Sequence, residues 1–84
     1  KNMDASARLD VRVLTVDDCI MELDRYIDYM LRMGLGEFTI VHGKGTGALR
    51  SAVNQYLRKS PYVKSFRLGV YGEGEDGVTI VVLK

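Results

Sequence analysis

This 84-residue chain has one cysteine and one proline, and it has no apolar stretch of about 18 residues, the length that a membrane-spanning helix needs. The lone Cys19 excludes an internal disulfide and a zinc site built on cysteines, and it fits a reducing cytoplasm. We see no secretory leader, and the chain starts at Lys1 and not at methionine. We therefore expect a cytoplasmic piece of a longer protein, without a membrane partner.

Acidic residues are absent between His42 and Arg67, a segment with six basic ones. Residues 1–41 carry five Lys or Arg and eight Asp or Glu, whereas residues 42–84 carry seven and three. A local field of one sign attracts polyanions such as nucleic acid, and a solvated basic helix face is the alternative interpretation. The six basic residues are Lys44, Arg50, Arg58, Lys59, Lys64 and Arg67.

Hydrophobic periodicity predicts four strands and two helices. Thr15 is a suitable N-cap for the first helix, which Gly34 ends, and Pro61 ends the second helix. In chain order we expect strand 8–13, a helix between Thr15 and Gly34, strand 37–42, helix 48–59, strand 64–71 and strand 78–83. Residues 1–7 are expected to form a flexible tail.

The element order βαβαββ predicts an α/β fold, with both helices packed on a mixed four-stranded sheet. The first two strands are joined by a helix, so we expect them to be parallel. The last two are joined by the glycine-rich turn 72–77, so we expect an antiparallel hairpin. Strand 78–83 is almost entirely apolar, which indicates a central position buried on both faces.

A glycine-rich loop, Gly43-Lys44-Gly45-Thr46-Gly47, lies between the second predicted strand and the second predicted helix. Such a loop exposes backbone N–H groups, and the helix N-terminus behind it adds partial positive charge. Lys44 adds a full charge, and Arg50 follows in the helix. The spacing fits neither the ATP-binding loop nor the dinucleotide fingerprint. We interpret the loop as a phosphate cradle, and the name cradle is used below for residues 43–47.

Three further side chains are candidates for chemistry. His42 lies at a strand end beside the cradle, where it could transfer a proton or contact a phosphate, or serve only as a structural histidine. Asp10 and Arg12 are two residues apart on a predicted strand and so should share a face. A carboxylate beside a guanidinium can bind metal, orient a base or hold a phosphate, and a surface ion pair of little consequence is the alternative.

The combination of these segments resembles the Smr (small MutS-related) domain, over residues 8–84. The similarity is to the form of the domain that ends proteins of the second bacterial MutS subfamily. The segments that carry it are Leu9-Asp10-x-Arg12, the run from His42 through the cradle to Ala48-Leu49-Arg50, Pro61-x-Val63-x-x-Phe66-Arg67 and Gly77-Val78-Thr79. The first motif of the family usually continues with glycine after the arginine, where this chain has Val13.

The resemblance implies a two-layer α/β sandwich and, as in many members, nucleic-acid endonuclease activity. It further implies a parent protein that is a dimeric ATPase acting in recombination control or on stalled ribosomes.

Our leading hypothesis is a nucleic-acid phosphodiesterase. Lys44, Arg50 and the amides of Gly43, Gly45, Thr46 and Gly47 would hold a phosphate. His42 would be the general acid or base, and Arg12 would neutralise developing charge. Asp10 would orient His42 or a water, or bind Mg²⁺ or Mn²⁺.

Two other hypotheses stay open at this stage. The domain could bind nucleic acid or the ribosome without chemistry, or its cradle could bind an acidic group of a protein partner. With RNA the 2′-hydroxyl could attack without a metal, whereas DNA requires an external water and favours one. The sequence does not choose between RNA and DNA.

Overall fold

The structure, a computed structural model, describes residues 7–72 and 74–84. Most of the expected N-terminal tail, and Glu73 of the glycine-rich turn, therefore lie outside the described residues. The elements are β1 (Arg8–Asp10), α1 (Val16–Arg32), β2 (Glu37–Val41), α2 (Ala48–Lys59), β3 (Val63–Leu68) and β4 (Val78–Leu83), with a short 3-10 helix (Glu75–Gly77) before β4. This is the predicted order βαβαββ.

The four strands form one mixed sheet in the order β1-β2-β4-β3. β1 pairs in parallel with β2, while β4 pairs antiparallel with both β2 and β3. The fold class, the parallel first pair and the antiparallel last pair are confirmed. The central position of β4 is confirmed as well, and five of its six residues are buried.

The core lies between one face of the sheet and the two helices. In α1 the buried positions Cys19, Leu23, Ile27 and Met30 recur every three or four residues, which places them on one helix face. They pack against sheet residues such as Phe38 in a single buried cluster. Cys19 is fully buried, and burial raises the pKa of its thiol. Within the described parts of the chain, neither helix is long and apolar enough to cross a membrane.

Three strands end earlier than predicted, and for β2 the difference is one residue, since it ends at Val41. β1 stops at Asp10 because the chain turns, with the N–H of Leu14 donating to the Val11 carbonyl at 3.1 Å. This turn lets Thr15 cap α1, its hydroxyl accepting from the N–H of Asp18 as predicted. β3 stops at Leu68. Ala7, which was expected in the flexible tail, is bonded to β2, since the N–H of Thr39 donates to the Ala7 carbonyl at 2.9 Å.

Candidate nucleic-acid interface

A cleft of about 360 Å³ opens where β2 ends. The turn after β1, the cradle and the first turn of α2 form its walls. Its lining residues are Arg12, His42, Gly43, Gly45, Thr46, Gly47, Ala48, Leu49 and Arg50. The structure therefore brings most of the predicted site residues together, although they come from two distant segments of the chain.

Four of the five cradle residues line this cleft, but the N–H of Gly43 is used within the domain, since it donates to the Gly77 carbonyl at 2.9 Å. Gly43 has a φ of +78°, a left-handed conformation that favours glycine, and the chain turns sharply there. Gly47 is the N-cap of α2 and has no side chain to cap the helix. The Thr46 hydroxyl accepts from the N–H of Ala48 at 3.3 Å. The following amides of the first turn have no intrahelical acceptor, so they can serve an anion.

His42 forms part of the wall of the cleft, with only 5% of its surface exposed. Its Nδ1 lies 3.1 Å from the Gly43 carbonyl oxygen, which can only accept, so Nδ1 carries a proton and donates. Its Nε2 lies 2.8 Å from the Thr79 hydroxyl, which can donate to it when the ring is neutral. Both ring nitrogens are therefore engaged within the domain.

The Thr79 contact was not predicted from the sequence. The two residues are 37 positions apart, and only the pairing of β2 with β4 brings them together. A signal was nevertheless present, because Thr79 is the only polar side chain in the apolar strand β4.

Asp10 and Arg12 form a local pair. The Asp10 carboxylate accepts from the backbone N–H of Arg12 at 3.0 Å and from Nε and NH2 of its guanidinium, at distances down to 2.7 Å. These bonds hold the pKa of Asp10 at about 2, well below the ordinary value. Among the described residues, the other terminal nitrogen of Arg12, NH1, has no partner. The carboxylate thus fixes the guanidinium at the cleft and leaves one nitrogen for a ligand.

Asp10 does not line the cleft, contrary to the expectation that it would face His42. It lies opposite Val41 in the sheet, whereas the ring of His42 points to Thr79 on the side of the helices. Because side chains alternate along a strand, Asp10 lies on the other face. Arg12 is in the turn after β1 and not on the strand, so it reaches the cleft by itself.

The residues around Asp10 do not fit a divalent cation. Both oxygens of its carboxylate are bonded to Arg12, and the described residues contain no group of three or more side chains suited to hold a metal ion. Hard cations prefer several oxygen ligands, and a guanidinium beside the carboxylate opposes them.

The six basic residues of the segment from His42 to Arg67 are spread over several elements. Lys44 belongs to the cradle, and Arg50 lines the cleft from the first turn of α2. Arg58 and Lys59 lie in the last turn of α2, whose 12 residues span about 18 Å. Lys64 lies on β3, an edge strand not adjacent to β2. Arg12, from outside the segment, lines the cleft together with Arg50, whereas Lys44 is not among the lining residues.

Lys44 and Arg50 are paired with two carboxylates from the 3-10 helix before β4, here called the acidic turn (Glu75 and Asp76). Lys44 Nζ lies 3.1 Å from Glu75 Oε1 and 3.6 Å from Asp76 Oδ1, and Arg50 NH1 lies 3.2 Å from Asp76 Oδ2. The hydrogen bond with Glu75 is the main cause that raises the pKa of Lys44. These pairs were not predicted from the sequence.

Val13, which replaces the usual glycine of the first motif, is 94% exposed beside Arg12. Among the described residues only Glu75 combines a side chain with a positive φ, so Val13 is not in a conformation that requires glycine. The valine adds a side chain near the cleft without straining the backbone.

The coupling of Asp10 to Arg12 leads to a first prediction. We expect Arg12→Ala to raise the pKa of Asp10 from about 2 toward the ordinary value of about 3.9. Carbon NMR of the carboxyl group against pH measures it. Arg8→Ala is the matched control, because Arg8 is only the least of the causes and should shift the pKa much less. Equal pKa values in the wild type and Arg12→Ala would contradict the pairing.

The sign of the pH dependence follows. A pKa lowered in the folded state means that the pair stabilises the fold above the unfolded-state pKa of about 3.9. This contribution should disappear as the pH falls through about 2, the folded-state value.

The Smr domain family model matches residues 9–84. The chain belongs to the Smr domain family. It is 57% identical over all 84 residues to a protein called Endonuclease MutS2 from Caldicellulosiruptor bescii, and 54% identical over 78 residues to one of the same name from Clostridium beijerinckii. The chain spans about a tenth of the length of these relatives, covering 10% of each, while the matches cover 100% and 93% of the chain.

Two crystal structures are similar to the fold. The Smr domain of Thermus thermophilus MutS2 has a TM-score of 0.90 at 42% identity, covering 92% of this chain and 96% of that one. YdaL, a stand-alone small MutS-related protein from Escherichia coli, has a TM-score of 0.87 at 26% identity, covering 93% of this chain and 64% of its own. Since the Thermus chain consists almost wholly of this domain, an Smr domain of this size folds without the rest of MutS2.

Proposed function

We propose that this Smr domain binds the sugar–phosphate backbone of nucleic acid in the cleft and cleaves a phosphodiester bond there. The observation that carries the proposal is the shared cleft of the cradle, Arg12 and His42. Backbone amides, a helix N-terminus and a guanidinium all favour a bound anion. An imidazole is the side chain most often used to move protons.

Phosphate binding is assigned to groups that differ in role. The amides of Gly45, Thr46 and Gly47 and NH1 of Arg12 would donate to the non-bridging oxygens and stabilise charge that develops on them. Lys44 and Arg50 would contact phosphates at the rim. Asp10 is a positioning residue, because its carboxylate holds Arg12 and faces away from His42.

RNA is the substrate that these side chains fit best, since they hold no metal site that would activate a water. The 2′-hydroxyl would attack phosphorus, and the bond from phosphorus to the 5′-oxygen would break. The products are a 2′,3′-cyclic phosphate and a 5′-hydroxyl. His42 Nε2 would release Thr79, take the 2′ proton and return it to the departing 5′-oxygen.

A second function, binding without cleavage, is favoured by the state of His42 and by the position of Asp10 on the opposite face of the sheet, where it does not orient the imidazole. Its ring is 5% exposed, and both nitrogens are bonded within the domain. A histidine that kept these bonds would support the cradle loop and transfer no proton. The domain would then attach a larger protein to nucleic acid or to the ribosome.

The setting in the longer protein is a proposal of the same kind. The chain covers 10% of relatives called Endonuclease MutS2, which supports a role as one domain of a MutS-related ATPase. We propose that the whole protein is a cytoplasmic dimer, and that this domain acts for it on nucleic acid during recombination control or on stalled ribosomes.

The test is incubation of the purified domain with labelled RNA and DNA of one sequence, with Mg²⁺, with Mn²⁺ or with a chelator. We expect both strands to bind and the RNA to be cut in all three conditions, because His42 supplies proton transfer without a metal. Binding without cutting in every condition would support the second function. No binding to either strand at low salt would reject both.

A further inference from the structure

The acidic turn lies over the two rim cations that the proposed function assigns to nucleic-acid phosphates. Glu75 and Asp76 are 31 and 26 residues from the cations that they contact, Lys44 and Arg50 respectively, so these contacts are a product of the fold. A carboxylate is the protein group closest in charge and geometry to a phosphate oxygen pair. The domain thus places anions of its own where its ligand would bind.

The backbone fixes the acidic turn in this place. The Gly77 carbonyl at its end accepts from the N–H of His42 at 3.1 Å and from the N–H of Gly43 at 2.9 Å. On the other side, Gly69 packs so closely that a Cβ there would lie 2.5 Å from Val78 Cγ2 and 2.9 Å from the Glu75 carbonyl oxygen. The loop is therefore anchored to the cradle and to β4.

Glu75 itself has an unusual backbone. Its φ is +54°, the only positive value among the described residues other than glycine. A side chain in this region is disfavoured, and glycine would fit without strain. The same residue carries the carboxylate that lies 3.1 Å from Lys44 Nζ.

We propose that the acidic turn is an internal competitor for the phosphate site, and that nucleic acid binds by replacing its carboxylates on Lys44 and Arg50. This inference rests on the proposed function. The paired side chains are between 38% and 61% exposed, so the ion pairs are weak enough to be exchanged. A single small anion gains little binding free energy by displacing the carboxylates, whereas a polyanion gains binding free energy at several phosphates at once. The turn therefore selects a continuous backbone over free phosphate.

The test is a double-mutant cycle on binding to a single-stranded RNA oligonucleotide. We expect Glu75→Gln with Asp76→Asn to tighten binding by about 3–10-fold, because the rim cations are released. Lys44→Ala should weaken binding more in this released background than in the wild type, since Lys44 then has no internal partner. Inorganic phosphate should compete with the RNA better in the released variant.

Glu22→Gln with Asp28→Asn is the matched control. These carboxylates pair with Arg25 and Arg32 on α1, so the change in charge is the same at a distant place. We expect it to leave affinity nearly unchanged. The competitor proposal would be overturned if both double variants tightened RNA binding equally, or if Lys44→Ala weakened binding equally in both backgrounds. Either result would leave the proposed function unaffected.

A second readout does not depend on nucleic acid. NMR titration of the Lys44 side chain should show that its raised pKa falls toward the ordinary value when the acidic turn is neutralised. An unchanged pKa would overturn the proposal. If neither the wild type nor the released variant binds RNA, both this inference and the proposed function fail. If the double variant does not fold, the same titration of Lys44 is made on the single variant Glu75→Gln.

Discussion

Replacement of His42 by alanine is expected to slow RNA cleavage by roughly 100-fold or more while affinity stays nearly normal. The reason is the division of roles in the cleft, where the amides and cations bind the backbone and the imidazole moves the proton. Single-turnover rates and equilibrium binding on the same RNA measure the two effects separately. Cleavage at the wild-type rate by a folded His42→Ala protein would contradict the assignment.

The buried position of His42 requires a control for folding. Thr79→Val removes its hydroxyl partner but keeps the imidazole and a similar side-chain volume. If His42 acts only through structure, the two variants should lose cleavage in proportion to their loss of stability. If it transfers a proton, Thr79→Val should keep far more activity at equal stability. Melting curves of both proteins make the comparison possible.

The substrate provides the complementary control. One deoxy substitution at the cut position should abolish cleavage and spare binding, because it removes the nucleophile and keeps the phosphates. If the wild type binds and does not cut, the same assay on Val13→Gly tests whether the exposed valine blocks the first motif. If Val13→Gly cleaves RNA, then the valine at this position is what abolished cleavage. If Val13→Gly binds RNA without cleaving it, the binding function is favoured.

The bounds of α2 and the central strand could be predicted because their signals are local. A glycine loop begins α2 and Pro61 follows its end, and a continuous apolar run marks β4. The glycine-rich loop was predictable for the same reason, since its three glycines fall within five consecutive residues. The end of β1 was not, because alternation continues to Val13 in a segment that has already turned away from the sheet.

The contacts of the site could not be predicted from spacing. The bond between His42 and Thr79 and the pairs of the acidic turn with the rim cations join residues 26 to 37 positions apart. They depend on the antiparallel pairing of β2 with β4, which brings the start of β4 to the end of β2. Hydrophobic periodicity predicts that β2 and β4 exist, but it does not predict which of their side chains are in contact.

The second large effect concerns binding. We expect Lys44→Ala with Arg50→Ala to weaken binding to nucleic acid by about 5–30-fold, because two exposed charge contacts with phosphates are lost. The matched control is Arg25→Ala with Arg32→Ala on α1. These two arginines are also exposed and also paired with carboxylates, so the loss of charge and of ion pairs is the same. The control should bind nearly as well as the wild type.

The salt dependence of binding tests most directly whether the cradle contacts the phosphate backbone. Each phosphate contact releases about one counterion, so the slope of log K against log salt counts the contacts. For the Lys44 and Arg50 double variant, we predict a slope smaller than that of the wild type by roughly 1–2, and an unchanged slope for the α1 control. An unchanged slope and affinity in the cradle variant would contradict the account and place the nucleic acid elsewhere on the domain.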